Sequence, residues 1–254
     1  MDLGLKGKKA IVVGATRGIG RAIASLLANE GCDAAICARD RGQVDATVAE
    51  LKALGVFALG DTVDAGDGAA LRGFIEKAAA AMGGLDVFVF NASAALYGAN
   101  DEASWRVGFE VDLMGTVRGC EAALPFLEKS GSGAIVVVGT VSAVEVVGPR
   151  RAYSSVKAAV LPYIKSLAHN VAPRNVRCNV VSPGMVYFKG GVWEMIERNA
   201  PDRFRDAIAR NPMGRLGTPD EIANAVVFMA SPRASFISGA NLICDGARTQ
   251  RVQF

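Results

Sequence analysis

A glycine-rich segment near the start of the chain constrains the fold more than any other feature. Gly14, Gly18 and Gly20 directly follow a short apolar run at residues 10–13, and apolar side chains recur at helical spacing in residues 21–30. The run is too short for a helix core and rich enough in β-branched residues for a buried strand. A strand, a glycine turn and a helix in this order place free backbone N–H groups and the positive end of a helix dipole where a phosphate can bind. The segment therefore predicts a dinucleotide site, and the alternative is a tight turn that merely needs positive φ.

The same alternation of short apolar runs and helical stretches continues along the chain. It predicts seven strands, at residues 9–13, 33–38, 56–60, 86–90, 134–138, 176–181 and 241–244, with helices between them. Such alternation is typical of parallel strands joined by right-handed helical crossovers. We therefore expect a single α/β domain over residues 1–254, a doubly wound Rossmann sheet of seven mostly parallel strands with helices on both faces. Ligands of such sheets bind at the carboxyl ends of the strands, which is where Gly14, Asn91, Thr140, Pro183 and Gly184 fall.

A tyrosine and a lysine far downstream are candidates for the chemistry. Tyr153 and Lys157 are four residues apart, so they share one face of a helix and can meet at one site. A nearby ammonium favours the phenolate and lowers the pKa of a tyrosine from about 10 toward neutrality. Such a phenol can exchange a proton with a carbonyl or alcohol oxygen while a nicotinamide exchanges a hydride with the carbon. The alternative is an ordinary Tyr–Lys pair on a helix surface, which the glycine turn makes less favourable.

Composition and charge exclude several other functions. A net charge of +3, a pI near 8.6 and short basic runs do not favour a nucleic-acid partner. No stretch approaches the roughly 18 uninterrupted apolar residues of a membrane span, and the first apolar run is too short for a secretory signal. Five scattered cysteines without a Cys-x-x-Cys motif indicate free thiols in a reducing, cytoplasmic setting. His169 is the single histidine, so a multi-histidine metal site is excluded and no metal is expected.

The glycine spacing and the Tyr–Lys pair resemble the short-chain dehydrogenase/reductase family. That family has a Thr-Gly-x-x-x-Gly-x-Gly turn, and Val13 stands here where the threonine is usual. Residues 90–93, Phe-Asn-Ala-Ser, are similar to the family's Asn-Asn-Ala-Gly after the fourth strand, with the first and last residues changed. Residues 212–223 and 238–246 match stretches common among 3-oxoacyl reductase-like members. The resemblance covers nearly the whole chain and implies an oxidoreductase that interconverts a ketone and a secondary alcohol.

The resemblance also implies the catalytic residues. Tyr153 would be the acid/base, and Lys157 would lower its pKa and anchor the cofactor ribose. The family's catalytic serine, thirteen residues before the tyrosine, is Thr140 here, and Ser142 is the substitute if the loop is shifted. Threonine keeps the hydroxyl, but its methyl group narrows the pocket. Asp112 stands where the family has an asparagine that supports a helix bend and a water leading protons to the lysine; an ionised aspartate close to Lys157 would partly cancel the lysine's effect on the tyrosine.

The same resemblance implies which residues hold the cofactor. The end of the second strand carries Ala38 and Arg39 instead of an acidic residue that would bind the ribose hydroxyls of NAD. Arg17 and Arg39 can clamp a 2′-phosphate, so NADP(H) is favoured over NAD(H), while Asp40 is either a competing charge or a helix start. Asp61 and Thr62 resemble the pair that contacts adenine. The expected cofactor contacts are Gly14, Thr16, Arg17, Gly18, Ile19, Gly20, Arg39, Asp61, Thr62, Asn91, Ala92, Ser93, Tyr153, Lys157, Pro183, Gly184 and Val186.

A long segment at about residues 186–214 resembles the substrate lid of the family. Gly190 and Gly191 offer a hinge, and the apolar content is Phe188, Trp193, Met195, Ile196 and Phe204. Further apolar wall is expected from Tyr97, Val144, Val146 and Val147. These residues indicate a small-molecule substrate that is medium-sized or hydrophobic. The alternative is that the aromatic side chains only pack the lid helices on the core.

Two classes of function remain open from the sequence. The first is an NADP(H)-dependent carbonyl reductase or alcohol dehydrogenase. The second is a catalytically impaired dinucleotide-binding or scaffold protein, which is suggested by the changes at Phe90, Ser93, Asp112 and Thr140. Retention of Tyr153 and Lys157 favours the enzyme.

A homo-oligomer, dimer or tetramer, is also expected. Members of the family usually pair through their two long middle helices. Small residues on these helices would allow close approach between chains: Gly108, Gly115, Gly119, Ala152, Ala158 and Ala159.

Overall fold

The computed structural model describes residues 2–94, 100–146 and 151–252. Its strands are β1 (Lys9–Val13), β2 (Asp33–Ala38), β3 (Ala58–Thr62), β4 (Val87–Phe90), β5 (Gly133–Val138), β6 (Val176–Pro183) and β7 (Asn241–Cys244). They form one sheet in the order β3-β2-β1-β4-β5-β6-β7, and every neighbouring pair is parallel. The expected doubly wound α/β fold is confirmed, with a sheet that is parallel throughout.

Helices connect successive strands and cover both faces of the sheet. They are α1 (Gly18–Asn29), α2 (Arg41–Ala53), α3 (Gly68–Met82), α4 (Glu102–Gly108), α5 (Gly115–Ser130), α6 (Arg151–Val171), α7 (Val192–Asn199), α8 (Pro201–Ala209) and α9 (Pro219–Ala230). A π-helical segment (Phe109–Met114) joins α4 to α5, and short 3₁₀ turns lie at Val141–Ala143, Ala172–Arg174 and Pro232–Ala234. In the described part of the chain, no helix has the length and apolar character needed to cross a membrane.

Alternate residues of each central strand point to opposite faces of the sheet. Ile11 and Val13 of β1 pack in one hydrophobic core with α3, α5 and α6. Ala10 and Val12 pack in a second core with α1 and α9. Because both faces are covered, the central strands β1, β4 and β5 are almost wholly apolar, and short continuous apolar runs could predict them.

Pairing between strands, rather than the apolar pattern alone, sets where each strand ends. β1, β2 and β7 have the predicted bounds, whereas β4, β5 and β6 differ by one or two residues at one end. The prediction of residues 56–60 for β3 is wrong by two residues at both ends. β3 pairs with β2 from Ala58, opposite Ala34, to Thr62, opposite Ala38, so its polar last residues continue the ladder.

The order of the strands places a crevice between the carboxyl ends of β1 and β4. β1 pairs with β2 on one side and with β4 on the other. The connection after β1 and the connection after β4 therefore leave the crevice in opposite directions. This is the topological switch point at which open parallel sheets bind their ligands. Gly14 follows β1 there and Asn91 follows β4.

The small residues of the middle helices pack within the chain. A Cβ on Gly115 would lie 2.7 Å from the Ala65 carbonyl oxygen, and a Cβ on Gly119 would lie 2.9 Å from the Phe88 ring. Ala152 is fully buried. These three residues are therefore used in packing within the chain and do not themselves argue for contact between two chains.

Candidate active site

The turn between β1 and α1 is closed against the loop that follows β4. Gly14 and Gly18 have φ of +80° and +51°, a region that residues with a Cβ rarely adopt. A Cβ on Gly20 would lie 2.0 Å from the Gly14 carbonyl oxygen, and the Asn91 side-chain amide donates to that same oxygen at 2.7 Å. The glycines therefore let the start of α1 approach the sheet, and Asn91 braces the turn.

The first turn of α1 has no side-chain cap among the described residues. Arg17 occupies the N-cap position in an extended conformation and makes no capping hydrogen bond. Four other helices are capped by a carboxylate or hydroxyl, from Asp40, Asp67, Asp101 and Thr218. The uncapped N–H groups, the helix dipole and the space left by the absent Cβ atoms fit the pyrophosphate of a dinucleotide.

A cavity of about 470 Å³ lies along the carboxyl ends of the strands and includes both the glycine turn and Tyr153. Most of the residues expected at the site line this cavity: Gly14, Thr16, Arg17, Ile19, Arg39, Asn91, Ala92, Ser93, Thr140, Tyr153, Lys157, Pro183, Gly184 and Val186. Six expected residues do not: Gly18, Gly20, Asp61, Thr62, Asp112 and Ser142. The cavity is thus continuous from the proposed phosphate site to the proposed catalytic side chains.

The residues expected to contact adenine lie just outside the cavity. Asp61 and Thr62 are the last residues of β3. The Thr62 backbone N–H and the Lys77 ammonium, 3.2 Å from the carboxylate, lower the pKa of Asp61. Because β3 continues to Thr62, the cavity is lined by the next residues, Val63, Asp64 and Ala65. Sequence reasoning missed these three because the apolar pattern ended β3 too early.

Arg17 and Arg39 line the cavity beside the glycine turn. Arg39 is exposed and makes no hydrogen bond or ion pair with any described residue. Arg17 donates to the Gly190 carbonyl oxygen at a distance of 3.5 Å. The Asp40 carboxylate accepts from Gln43 N at 2.8 Å as the N-cap of α2, so this acidic group starts a helix. Both guanidinium groups therefore have donors left for an anion.

Tyr153 and Lys157 reach the other end of the cavity from α6, one helical turn apart. Thr140 lines the cavity with them, whereas Ser142 does not. The Thr140 Oγ1 atom accepts from Ser142 N at 3.2 Å, which leaves the Thr140 proton for donation to another oxygen. The geometry favours Thr140 over Ser142 as the hydroxyl that faces a substrate.

Asp112 lies behind Lys157, within the π-helical segment. Its Oδ1 atom is 3.0 Å from Lys157 Nζ, and both side chains are 2% exposed. The Lys157 ammonium and Asp112 Oδ1 form an ion pair, but their geometry does not make a hydrogen bond, and Oδ1 accepts none from any described residue. Ala94 N donates to Oδ2 at 3.1 Å, and Lys157 Nζ donates to the Val138 carbonyl oxygen at 3.2 Å. The expected meeting of Asp112 and Lys157 therefore occurs directly, through two buried charges.

The lid begins and ends at one short bridge. Val186 and Gly217 pair in parallel, Tyr187 N donates to the Gly217 oxygen, and Gly217 N donates to the Met185 oxygen, the last two at 2.9 Å. Helices α7 and α8 lie between these points. The two ends of the segment expected to form the lid therefore lie side by side.

Some aromatic residues of the segment expected to form the lid pack inside it, and others line the cavity. Phe204 packs inside the lid, with its ring centroid 5.9 Å from that of Tyr187 and 6.5 Å from that of Trp193. Trp193 and Phe188 also line the cavity. The Phe188 ring lies over the glycine turn, since a Cβ on Gly18 would be 2.6 Å from it.

The other described residues that were expected to form apolar wall do not line the cavity. Ile196 is buried within the lid and Met195 is half exposed. Val144 and Val146 do not line the cavity, and Val146 is 94% exposed. Tyr97 and Val147 lie outside the described residues.

Cys37, Gln43 and Val192 also line the cavity, and sequence reasoning missed them. Gln43 of α2 accepts a hydrogen bond from the Thr16 hydroxyl at 3.1 Å. Burial raises the pKa of the Cys37 thiol to about 12, so the thiol is neutral at physiological pH. No local pattern marks Cys37 or Gln43, because Cys37 reaches the site through the pairing of β2 with β1, opposite Val13, and Gln43 through the packing of α2 beside α1.

The comparison with protein families decides the assignment. A family model described as enoyl-(acyl carrier protein) reductase matches residues 14–248. The chain belongs to the short-chain dehydrogenase/reductase family. It is an oxidoreductase of the alcohol/ketone class, and the fold of this family binds a nicotinamide dinucleotide. The comparisons thus favour an enzyme over the scaffold alternative.

Known proteins and solved structures are similar to this short-chain dehydrogenase/reductase over almost its whole length. Isoepoxydon dehydrogenase of Penicillium expansum is 35% identical, with 100% of this chain and 99% of the relative covered. Cis-4-hydroxycyclohexanecarboxylate dehydrogenase of Sinomonas cyclohexanicum is 36% identical, with 94% and 96% covered. The crystal structure of L-sorbose reductase from Gluconobacter frateurii, complexed with NADPH and L-sorbose, has a TM-score of 0.90 at 29% identity, with 99% and 100% covered.

Proposed function

We propose that this chain is an NADP(H)-dependent oxidoreductase that interconverts a ketone and a secondary alcohol, with Tyr153 as its acid/base. One observation carries the proposal. Tyr153, Lys157 and Thr140 line the same cavity as the glycine turn, where helix α1 begins without a side-chain cap. A dinucleotide bound along that cavity and a small substrate beside Tyr153 therefore share one enclosed space.

Tyr153 exchanges the proton with the substrate oxygen. In reduction its phenol donates the proton as the carbonyl oxygen becomes a hydroxyl, and in oxidation its phenolate accepts the proton back. Thr140 holds the same oxygen by donating its O–H, since its Oγ1 atom already accepts from Ser142 N. Lys157 brings positive charge to the phenol from one helical turn away. When bound, the nicotinamide supplies or accepts the hydride.

Cofactor preference follows from the charges beside the glycine turn. Arg39 makes no hydrogen bond or ion pair with any described residue, Arg17 lies next to the turn, and Asp40 caps α2. Two guanidinium groups without a carboxylate partner favour a 2′-phosphate over bare ribose hydroxyls. We expect the Arg39→Ala variant to bind NADPH at least tenfold more weakly and NADH about as well as wild type, as measured by isothermal titration calorimetry. Equal weakening for both cofactors would contradict the preference.

The cavity has apolar walls beside its polar catalytic side chains. Val186, Val192 and Trp193 line it together with Lys157. A medium-sized ketone or alcohol with an apolar surface, such as a ring alcohol, fits these walls. Relatives named for isoepoxydon and for cis-4-hydroxycyclohexanecarboxylate support this choice.

A homo-oligomer, dimer or tetramer, is part of the proposal. Trp105, Val107 and Phe109 expose apolar side chains on α4 and the π-helical segment, which are among the elements through which family members usually pair. A second copy that covers them would remove this apolar surface from water. A light-scattering mass equal to 26.4 kDa, the mass of one chain, would refute association.

The five free thiols support a reducing, cytoplasmic location.

The experiment that tests the function is NADPH consumption against a panel of ketones and aldehydes that includes ring ketones. Wild type and Tyr153→Phe are assayed side by side, and NADPH binding is measured for both. We expect turnover by wild type and a loss of at least a hundredfold in the variant at similar NADPH affinity. Undiminished turnover in Tyr153→Phe would refute the assigned acid/base.

A further inference from the structure

The chain buries a carboxylate against the lysine of its catalytic pair. Asp112 and Lys157 are each 2% exposed and 3.0 Å apart. A single buried charge is costly, whereas an ion pair with further hydrogen bonds is tolerated, so each group requires the other. The asparagine expected from the family resemblance would have left Lys157 with a neutral neighbour.

Backbone groups from separate elements hold both partners. Ala94 N, after β4, donates to the second oxygen of Asp112, while the Val138 carbonyl oxygen at the end of β5 accepts from Lys157. The Asp112 carbonyl oxygen also accepts from the Thr116 hydroxyl at 2.7 Å, which ties the π-helical segment to α5. Neither charge can turn away from the other without losing a hydrogen bond.

Among the described residues that line the cavity, no other charged side chain compensates Asp112 at this end. The remaining charged side chains that line the cavity belong to the turn after β1 and to the segments after β2 and β3: Arg17, Arg39, Asp40 and Asp64. The elements packed against α6 include α4, the π-helical segment and the turn at Val141–Ala143. Their other charged groups are used elsewhere, Asp101 as the cap of α4 and the rest in exposed contacts: Glu102 with Arg106, Glu110 with Arg118, and Glu145 with Gln250 N.

We infer that Asp112 is a positioning residue that neutralises Lys157, so that Tyr153 remains protonated through the neutral pH range and serves chiefly as a proton donor to a carbonyl. The inference rests on the proposed function and adds a direction to it: reduction is the reaction for which the resting enzyme is already protonated. An ammonium alone stabilises a nearby phenolate, and a carboxylate held beside that ammonium removes much of the stabilisation. During reduction the phenol gives its proton to the substrate oxygen, and the phenolate left behind regains a proton from water.

The test is an ultraviolet titration of the phenolate in the cofactor-free protein. The chain has four tyrosines, and subtraction of the Tyr153→Phe titration isolates Tyr153. Two of the other three tyrosines titrate high, because burial raises the pKa of Tyr163 and the hydrogen bond to Glu197 raises that of Tyr187; the subtraction removes the contribution of Tyr97. We expect the wild-type midpoint to lie above about pH 8.5 and that of Asp112→Asn to fall by about one pH unit or more.

Glu110→Gln is the matched control. Glu110 is on the same π-helical segment, but its carboxylate is half exposed and paired with Arg118 at 2.8 Å. This variant removes the same charge and should leave the midpoint unchanged. An equal shift in both variants, or no shift in Asp112→Asn, would overturn the role of Asp112.

A second readout separates positioning from simple stability. In Asp112→Asn the high-pH limb of kcat/KM for reduction should move down with the phenolate midpoint, and oxidation should gain activity at neutral pH. If Asp112→Asn does not fold, the wild-type titration decides, and a midpoint near neutrality overturns the inference. Full turnover by Tyr153→Phe would instead refute the proposed function, while the titration of Tyr153 could still be interpreted.

Discussion

Thr140 and Ser142 are two hydroxyl residues on one loop, and their surroundings give them different tasks. Thr140 lines the cavity and accepts from Ser142 N, so its proton is the one directed away from the loop. We expect Thr140→Val to lower kcat/KM by about 10²–10³, the usual loss for one donor to a reacting oxygen, while Thr140→Ser keeps most of the activity.

Ser142→Ala is the control for this prediction. It retains the backbone N–H that donates to Thr140, so steady-state kinetics should be close to wild type. A greater loss in Ser142→Ala than in Thr140→Val would exchange the two roles.

Gly18 combines a strained conformation with a close contact. An alanine there would adopt φ near +51° and place its Cβ 2.6 Å from the Phe188 ring. Gly190 has φ of +78° but open space around it, so Gly190→Ala measures the conformational cost alone, about 1–2 kcal/mol. We expect Gly18→Ala to lower the free energy of unfolding by more than Gly190→Ala does, as measured by urea denaturation.

The double variant Gly18→Ala/Phe188→Ala tests the cause of that excess. If the ring is responsible, its removal should make Gly18→Ala less costly than in the wild-type background. Additive effects in the double-mutant cycle would show that the contact is not the cause.

Single residues also show the limit of sequence reasoning at this site. Gly14, Tyr153 and Lys157 were predictable because each belongs to a local motif with a physical reason for its spacing. Asp64 was not, because its place on the cavity depends on how far β3 pairs with β2. The direct ion pair of Asp112 with Lys157 could be anticipated only in part, since burial of both groups arises from tertiary packing.

At the scale of elements, helix α7 has two side chains on the cavity, Val192 and Trp193, and others in solvent. Trp193 lines the cavity and packs on Phe204, whereas Met195 is 52% exposed. We expect Trp193→Ala to lower kcat/KM for a ring ketone by at least tenfold through loss of apolar wall, with NADPH affinity nearly unchanged. Met195→Ala is the matched control and should behave as wild type in the same assays.

The boundaries of elements were less predictable than their existence. The apolar runs predicted all seven strands, because a parallel sheet covered on both faces favours apolar side chains on both sides of its strands. The shift of β3 arose because Asp61 and Thr62 are polar yet pair with Cys37 and Ala38. The π-helical segment carries no pattern by which a sequence could reveal it.

At the scale of the whole molecule, the five thiols report on the integrity of the two cores. Cys32, Cys37, Cys120 and Cys178 are buried and Cys244 is partly exposed. Burial raises the pKa of Cys32, Cys37 and Cys178 to about 12, so these thiols are both shielded and protonated at neutral pH.

We therefore expect Cys244 to react first with a thiol reagent in the native protein, and all five to react after denaturation. A Cys244→Ser variant should lose the fast phase in a stopped-flow assay. Rapid modification of a second thiol in that variant would contradict the burial of the remaining four.

The bridge between Val186 and Gly217 has a consequence for how proteins of this kind diverge. The intervening segment leaves the sheet and returns at adjacent points, and its contacts with the glycine turn and with Asp245 come from Phe188, Gly190 and Asn211 near its two ends. The stretch between them, residues 192–210, can therefore change in length and composition as an interchangeable cassette. Grafting that stretch from a relative should transfer preference for the relative's alcohol while the recipient keeps its own choice of nucleotide.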